Sequence, residues 1–121
     1  MAGRIMIFDD DPDLIKVCSI VLKSKNYEVC GLYKCHDILS EVRSYSPDVI
    51  LMDNWIPDSG GVVATRQIKN DPLLKKIPVI FFSAHDRVEL LAAEAGAEFY
   101  LPKPFEIDEL ESVVSKAITG S

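Results

Sequence analysis

Four sets of residues in this sequence carry groups able to do chemistry: the run Asp9-Asp10-Asp11, the single Asp53, Ser83 and Lys103, each directly behind a short stretch rich in apolar residues. Carboxylates crowded into one pocket raise one another's pKa values, and a hard divalent cation relieves that repulsion. Mg²⁺ suits such a set, because it takes oxygen ligands in near-octahedral geometry and commonly combines one or two carboxylates with waters and a phosphate oxygen. Asp9, Asp10 and Asp53 would leave coordination positions open, which reads as a site that shares Mg²⁺ with an incoming phosphoryl group. A carboxylate can itself be the nucleophile and form an aspartyl phosphate. Such transfer relies on positioning and on neutralising the equatorial oxygens, and the Lys103 ammonium and Ser83 hydroxyl could each hold one. The acidic run alone serves equally well as a capped, solvated helix N-terminus, where aspartates are favoured in any case. The four sets together carry the chemical reading.

For these residues to meet, the stretches before them must be neighbouring strands. Ile5-Met6-Ile7-Phe8, Val49-Ile50-Leu51-Met52 and Val79-Ile80-Phe81-Phe82 are apolar at every position, which suits parallel strands buried on both faces. Glu28–Leu32 and Glu98–Leu101 are weaker strand candidates. Between the strands lie helical patterns, each with one apolar face. They are Leu14, Val17, Cys18, Val21 and Leu22; Ile38, Leu39, Val42 and Tyr45; Val88, Leu91, Ala92 and Ala95; and Ile107, Leu110, Val113, Val114, Ala117 and Ile118. Gly61–Lys69 is weaker, with Val62 and Ile68 aligned through Thr65, and Asn70-Asp71-Pro72 stops it. Asp11-Pro12 reads as an N-cap and first helical residue, and Gly96 as a C-terminal glycine. A strand–helix pair repeated five times predicts an α/β domain, a parallel sheet with helices on both faces. Right-handed crossovers bring the carboxyl ends of the strands to one rim, where open α/β sheets bind ligands.

A chain of 121 residues has room for one domain, and a 48% hydrophobic content excludes wholesale disorder. Lys and Arg number 13 against 19 Asp and Glu, for a net charge of −6, a poor balance for gripping a nucleic-acid backbone. The lysines are scattered over polar positions. The apolar runs fall short of the roughly 18–20 residues that span a bilayer, and no charged-then-apolar leader precedes them. Three cysteines without framework spacing fit a reducing cytoplasm. Cys30, Cys35 and His36 make an incomplete zinc set, since structural zinc takes four ligands; thiols acting as small buried hydrophobes are the favoured reading.

From about Arg4 to Ile118 the sequence resembles the response-regulator receiver domains of two-component signalling, in the manner of the chemotaxis receivers. Ile7-Phe8-Asp9-Asp10-Asp11 resembles the family's first-strand acidic motif, and Asp48-Val49-Ile50-Leu51-Met52-Asp53 with Pro57 and Gly61 its phosphoacceptor strand and loop. Val79-Ile80-Phe81-Phe82-Ser83-Ala84 resembles its hydroxyl strand, and Tyr100-Leu101-Pro102-Lys103-Pro104-Phe105 its lysine motif. Each is short, and their order and spacing together are specific. The resemblance implies a single receiver domain over residues 1–121 with the flavodoxin-like five-stranded order 2-1-3-4-5. It implies that Asp53 accepts the phosphoryl group, and that Asp9, Asp10, Asp53 and the backbone carbonyl of Trp55 hold Mg²⁺. Ser83 and Lys103 would bind phosphoryl oxygens, Tyr100 would turn inward as Ser83 moves, and the Lys103–Pro104 bond would be cis. The implied partners are a sensor histidine kinase or histidine phosphotransfer protein as donor, and an effector protein or a trimmed output domain as receiver of the signal. A phosphorylation-dependent homodimer is compatible with this, and the expected setting is the cytoplasm. The domain would be no enzyme beyond its own phosphotransfer and autodephosphorylation.

Two departures add an expectation. Trp55, two residues after Asp53, could shield an aspartyl phosphate from water, and His85, two after Ser83, would face it across the pocket mouth, so the pair would tune the lifetime of the phosphorylated state. The blander readings are a loop or docking aromatic and a solvated histidine. In Asp58-Ser59-Gly60-Gly61, a glycine stands where receivers often have Asp before the last glycine. Other functions fit less well. A haloacid-dehalogenase-like phosphatase matches Asp9-x-Asp11, yet Pro12 follows and Asp53 has no role. A flavodoxin-type FMN carrier would meet four aspartates in its phosphate loop. A pseudo-receiver that only binds partners leaves the complete residue set unexplained.

Overall fold

The computed structural model describes residues 3–33, 37–54 and 60–120. Strands and helices alternate as β1 (Gly3–Phe8), α1 (Pro12–Lys23), β2 (Tyr27–Leu32), α2 (Ile38–Tyr45), β3 (Val49–Asp53), α3 (Gly61–Asn70), β4 (Val79–Ser83), α4 (Val88–Ala95), β5 (Phe99–Pro102) and α5 (Ile107–Thr119). The strands form one parallel sheet in the order β2-β1-β3-β4-β5, the flavodoxin-like arrangement expected. No helix among the described residues is long and apolar enough to cross a membrane.

Every residue of β3 and β4 is buried, which explains their unbroken apolar runs, because side chains alternate between two covered faces. Met6, Phe8, Ile50, Met52, Val79 and Phe81 build one core with α2, α3 and α4. Ile5, Ile7, Val49, Leu51, Ile80 and Phe82 build the other with α1 and α5. β2 and β5 pair on one side only and stay partly exposed, so their sequences are more mixed.

The helix seams depart from the simple periodic reading in three places. α1 buries Cys18 and Leu22 and packs Leu14, Ile15 and Val21, whereas Val17 is 55% exposed. A Cβ on Gly31 of β2 would collide with the Ile15 side chain; the missing side chain is the slot that receives Ile15 and turns Val17 outward. α3 buries Gly61, Ala64, Thr65 and Ile68, with Val62 only partly covered. Small residues carry that seam, so its hydrophobic signal is faint. In α5 the buried seam begins at Leu110, and Ile107 in the first turn is exposed. The helix ends follow expectation. The Asp11 carboxylate accepts from the amides of Asp13 and Leu14, a cap worth about 1 kcal/mol, and Gly96 closes α4 at φ 84°.

Candidate functional site

The parallel arrangement sets the carboxyl ends of the strands side by side. Asp9 follows β1 and continues its pairing, its amide donating to Leu32 O at 3.2 Å. Asp53 and Ser83 are the last residues of β3 and β4. Lys103 follows β5, its amide donating to Ser83 O at 2.9 Å, and its peptide bond to Pro104 is cis. Asp9, Asp53 and Ser83 are buried, and Asp10 is exposed at the lip.

Lys103 Nζ donates to Asp9 Oδ2 at 2.7 Å and to Asp53 Oδ1 at 2.9 Å. It lies 4.6 Å from the Phe82 ring centroid, so an aromatic face supports the ammonium from one side. Asp9 Oδ1 accepts from the Asp11 amide at 2.9 Å. Burial pushes the Asp9 carboxyl above its ordinary value; Lys103 and the Asp11 amide pull it back, and the Asp53 charge adds to the rise. Burial opposes the Lys103 ammonium, but the hydrogen bonds and charges of Asp9 and Asp53 outweigh it and hold lysine above its ordinary value. The Cys18 thiol is pushed up to about 11, by burial first and then by the Asp9 charge, with Lys103 opposing. It therefore stays a protonated, inert packing group, as expected of a buried thiol.

One oxygen each of Asp9, Asp10 and Asp53 lie within 4.8 Å of one another, the one such metal-capable cluster among the described residues. Three carboxylates against one ammonium leave two formal negative charges, and the donors are all oxygens. Charge and ligand chemistry both fit a hard divalent cation such as Mg²⁺.

The backbone behind Asp53 is tightly seated. A Cβ on Gly61 would overlap the Asp53 carbonyl oxygen and stand 2.9 Å from Asn54 Cα, and the Gly61 amide donates to Asn54 O at 2.9 Å. Only glycine lets α3 start this close to the end of β3. Ser83 Oγ accepts from the His85 amide at 3.0 Å, and His85 Nδ1 accepts from the Arg87 amide at 3.0 Å. Tyr100, opposite Phe81 in β5, is 42% exposed and lies outside the pocket.

Asp9, Asp10, Asp53 and Lys103 are thus brought together, with Ser83 ending the strand between Asp53 and Lys103. Trp55 lies outside the described residues, as do Pro57, Asp58, Ser59, Cys35 and His36; Cys30 is half-buried in β2. Three contributors escaped sequence reasoning: Phe82 beneath Lys103, the Asp11 amide on Asp9, and the His85 amide on Ser83. The last two join residues two apart, as loops leaving strands commonly do. The first required knowing which neighbouring strand lies under the ammonium.

Fold and pocket together define a class, a doubly wound α/β domain whose strand ends gather an acidic cluster, a hydroxyl and a lysine. The sequence model of the response regulator receiver domain matches residues 5–115, and the chain belongs to that family. It is 32% identical over 112 residues to the DNA-binding response regulator MtrA of Mycolicibacterium smegmatis, across 91% of this chain and 48% of that protein. It is 33% identical over 120 residues to the DNA-binding transcriptional regulator NtrC of Salmonella typhimurium, across 97% of this chain and 25% of that protein. The chain therefore spans about half the first relative and a quarter of the second. Among solved structures it is similar to the signal receiver domain of a signal transduction histidine kinase from Syntrophus aciditrophicus, with 28% identity, TM-score 0.84 and coverage of 98% and 91%. It is also similar to a two-component response regulator from Clostridium difficile, with 25% identity, TM-score 0.83 and coverage of 97% and 95%. The chain is a regulatory phosphoacceptor module with an acidic pocket able to bind a metal ion.

Proposed function

We propose that the chain is a single receiver domain over residues 1–121 and that Asp53 accepts a phosphoryl group from the phosphohistidine of a sensor kinase or phosphotransfer protein. The observation that carries this reading is the Lys103 ammonium shared between the buried carboxylates of Asp9 and Asp53, with Asp10 at the lip. An Asp53 oxygen attacks phosphorus, the P–N bond breaks, and its electron pair leaves with the donor imidazole. Lys103 turns from the two carboxylates to an equatorial oxygen, and the Ser83 hydroxyl donates to another. Later a water oxygen attacks phosphorus, the bond to Asp53 breaks and inorganic phosphate departs, which restores the carboxylate. Asp9, Asp10, Asp53 and, as the resemblance implies, the carbonyl of Trp55 would hold Mg²⁺, which would supply charge neutralisation at the phosphoryl oxygens.

The added charge of about −1.5 to −2 draws the Ser83 hydroxyl from its amide partner and favours an inward Tyr100. The surface of α4, β5 and α5 then changes for an effector or an output domain, as a shift between two states. The receiver does this in the cytoplasm. Trp55 and His85 tune how long the phosphorylated state lasts. Incubation with Mg²⁺ and acetyl phosphate should add one phosphoryl group to the intact mass of the parent and none to Asp53→Asn. An unmodified parent would leave a receiver that acts only by binding partners.

A further inference from the structure

We infer that His85 is a positioning residue that ties the Ser83 hydroxyl to the first turn of α4. Three hydrogen bonds converge on this one residue. Its amide donates to Ser83 Oγ at 3.0 Å, its Nδ1 accepts from the Arg87 amide at 3.0 Å, and its carbonyl accepts from the Val88 amide at 3.2 Å. The orphan amides at a helix start need such acceptors. α1 and α2 are capped by the carboxylates of Asp11 and Asp37, whereas the N-cap of α4, Arg87, makes no side-chain cap bond. The imidazole of His85, two residues ahead of the cap, accepts instead from the amide of the cap residue itself.

The chemistry of the ring fixes its state. A nitrogen that accepts an amide proton carries none, so His85 is neutral with its hydrogen on Nε2. Asp86 Oδ1 lies 3.3 Å from Nδ1, but Nδ1 cannot accept from Arg87 and donate to Asp86 at once. Nδ1 is assigned to Arg87, the shorter of the two contacts. With Nδ1 engaged in the loop, that nitrogen serves the start of α4.

The consequence rests on the phosphoacceptor reading above. When the Ser83 oxygen moves toward a phosphoryl oxygen, the His85 amide that donates to it must follow or let go, and the ring on the same residue carries that change to the start of α4. A surface helix is thereby coupled to a buried hydroxyl through one residue.

Asparagine and glutamine separate the two ring nitrogens: the side-chain oxygen of Asn stands near Nδ1, and that of Gln reaches toward Nε2. In the full unphosphorylated chain, nitrogen NMR of His85 should show the proton on Nε2. The Arg87 amide should exchange at the parent rate in His85→Asn and roughly tenfold faster in His85→Gln, as befits one lost hydrogen bond. A proton on Nδ1, or equal Arg87 exchange in all three proteins, overturns the assignment whatever the fate of Asp53. With acetyl phosphate and Mg²⁺, intact mass confirms modification, and the amides of residues 88–95 should shift in the parent and His85→Asn but much less in His85→Gln. Equal shifts in all three modified proteins, or a Gln variant that matches the parent where Asn does not, overturn the coupling. A parent that gains no mass refutes the phosphoacceptor reading and the coupling, while the exchange result still judges the ring's anchoring role.

Discussion

Asp9 is the residue on which the site's electrostatic tension falls. It is fully buried, and its two oxygens are occupied by Lys103 and by the Asp11 amide, yet burial still holds its carboxyl above the ordinary value of 3.8. The sign follows from proton linkage: the folded state binds this proton more readily than the unfolded chain. Asp9's contribution to stability is complete below the ordinary carboxylate value and is lost as pH rises through its raised value. Removal of the charge should therefore help the fold where the group is ionised. In metal-free buffer, Asp9→Asn should unfold at higher urea than the parent at pH 7, and the gap should close as pH falls toward 4. Paired urea melts across that range check it; a variant weaker than the parent at pH 7 would show that Lys103 depends on Asp9 more than Asp9 suffers from burial. A functional site that costs stability is a common arrangement, because its groups are placed for a partner that arrives later.

At the scale of elements, close approaches of backbone decide where the reacting groups stand. Gly61 lets α3 begin against the carbonyl of Asp53, and the obstruction a side chain would meet there is backbone, which cannot swing aside. Gly61→Ala should lower stability by about 1–3 kcal/mol, the usual range for overpacking, and should slow phosphorylation by acetyl phosphate through displacement of Asp53. Urea denaturation and the rate of mass gain measure the two effects, and an unchanged rate would separate the α3 seat from the acceptor's position. Gly31 has a milder version of the role, since what it admits is the flexible Ile15 side chain. The three inner strands were legible from their unbroken apolar runs. The seams of α1 and α3 were not, because one depends on a gap in β2 and the other on Ala64 and Thr65, whose hydrophobic signal is weak.

For the whole molecule, the two surplus negative charges at the rim link metal binding to folding. The unfolded chain holds Asp53 far from the adjacent Asp9 and Asp10, so Mg²⁺ should bind the folded state far better and stabilise it by about 2.7 kcal/mol at a concentration of 100 Kd. Thermal melts with increasing Mg²⁺ should show a rising Tm in the parent and a much smaller rise in Asp10→Asn, where one ligand at the lip is lost. An equal rise in both would remove Asp10 from the metal site. The same rim lies within reach of a second feature. Tyr100 lines a groove of about 550 Å³ between β5 and α5, together with Glu109, Ser112 and Lys116, so an inward turn of Tyr100 would reshape a wall that a partner can touch.

By itself the sequence determined the class of fold and singled out the residues that follow its strands. Strands buried on both faces must be apolar throughout, and residues placed directly after such strands must share one rim once the crossovers are right-handed. That reasoning reached Asp9, Asp53, Ser83 and Lys103 without any coordinates. It could not settle which oxygen each group would engage, that Phe82 would lie beneath the ammonium, or that His85 would turn its Nδ1 to the start of α4. Those are contacts of a few ångströms between groups on different elements or around a loop. They depend on register, crossing geometry and rotamer, which only the assembled tertiary structure decides.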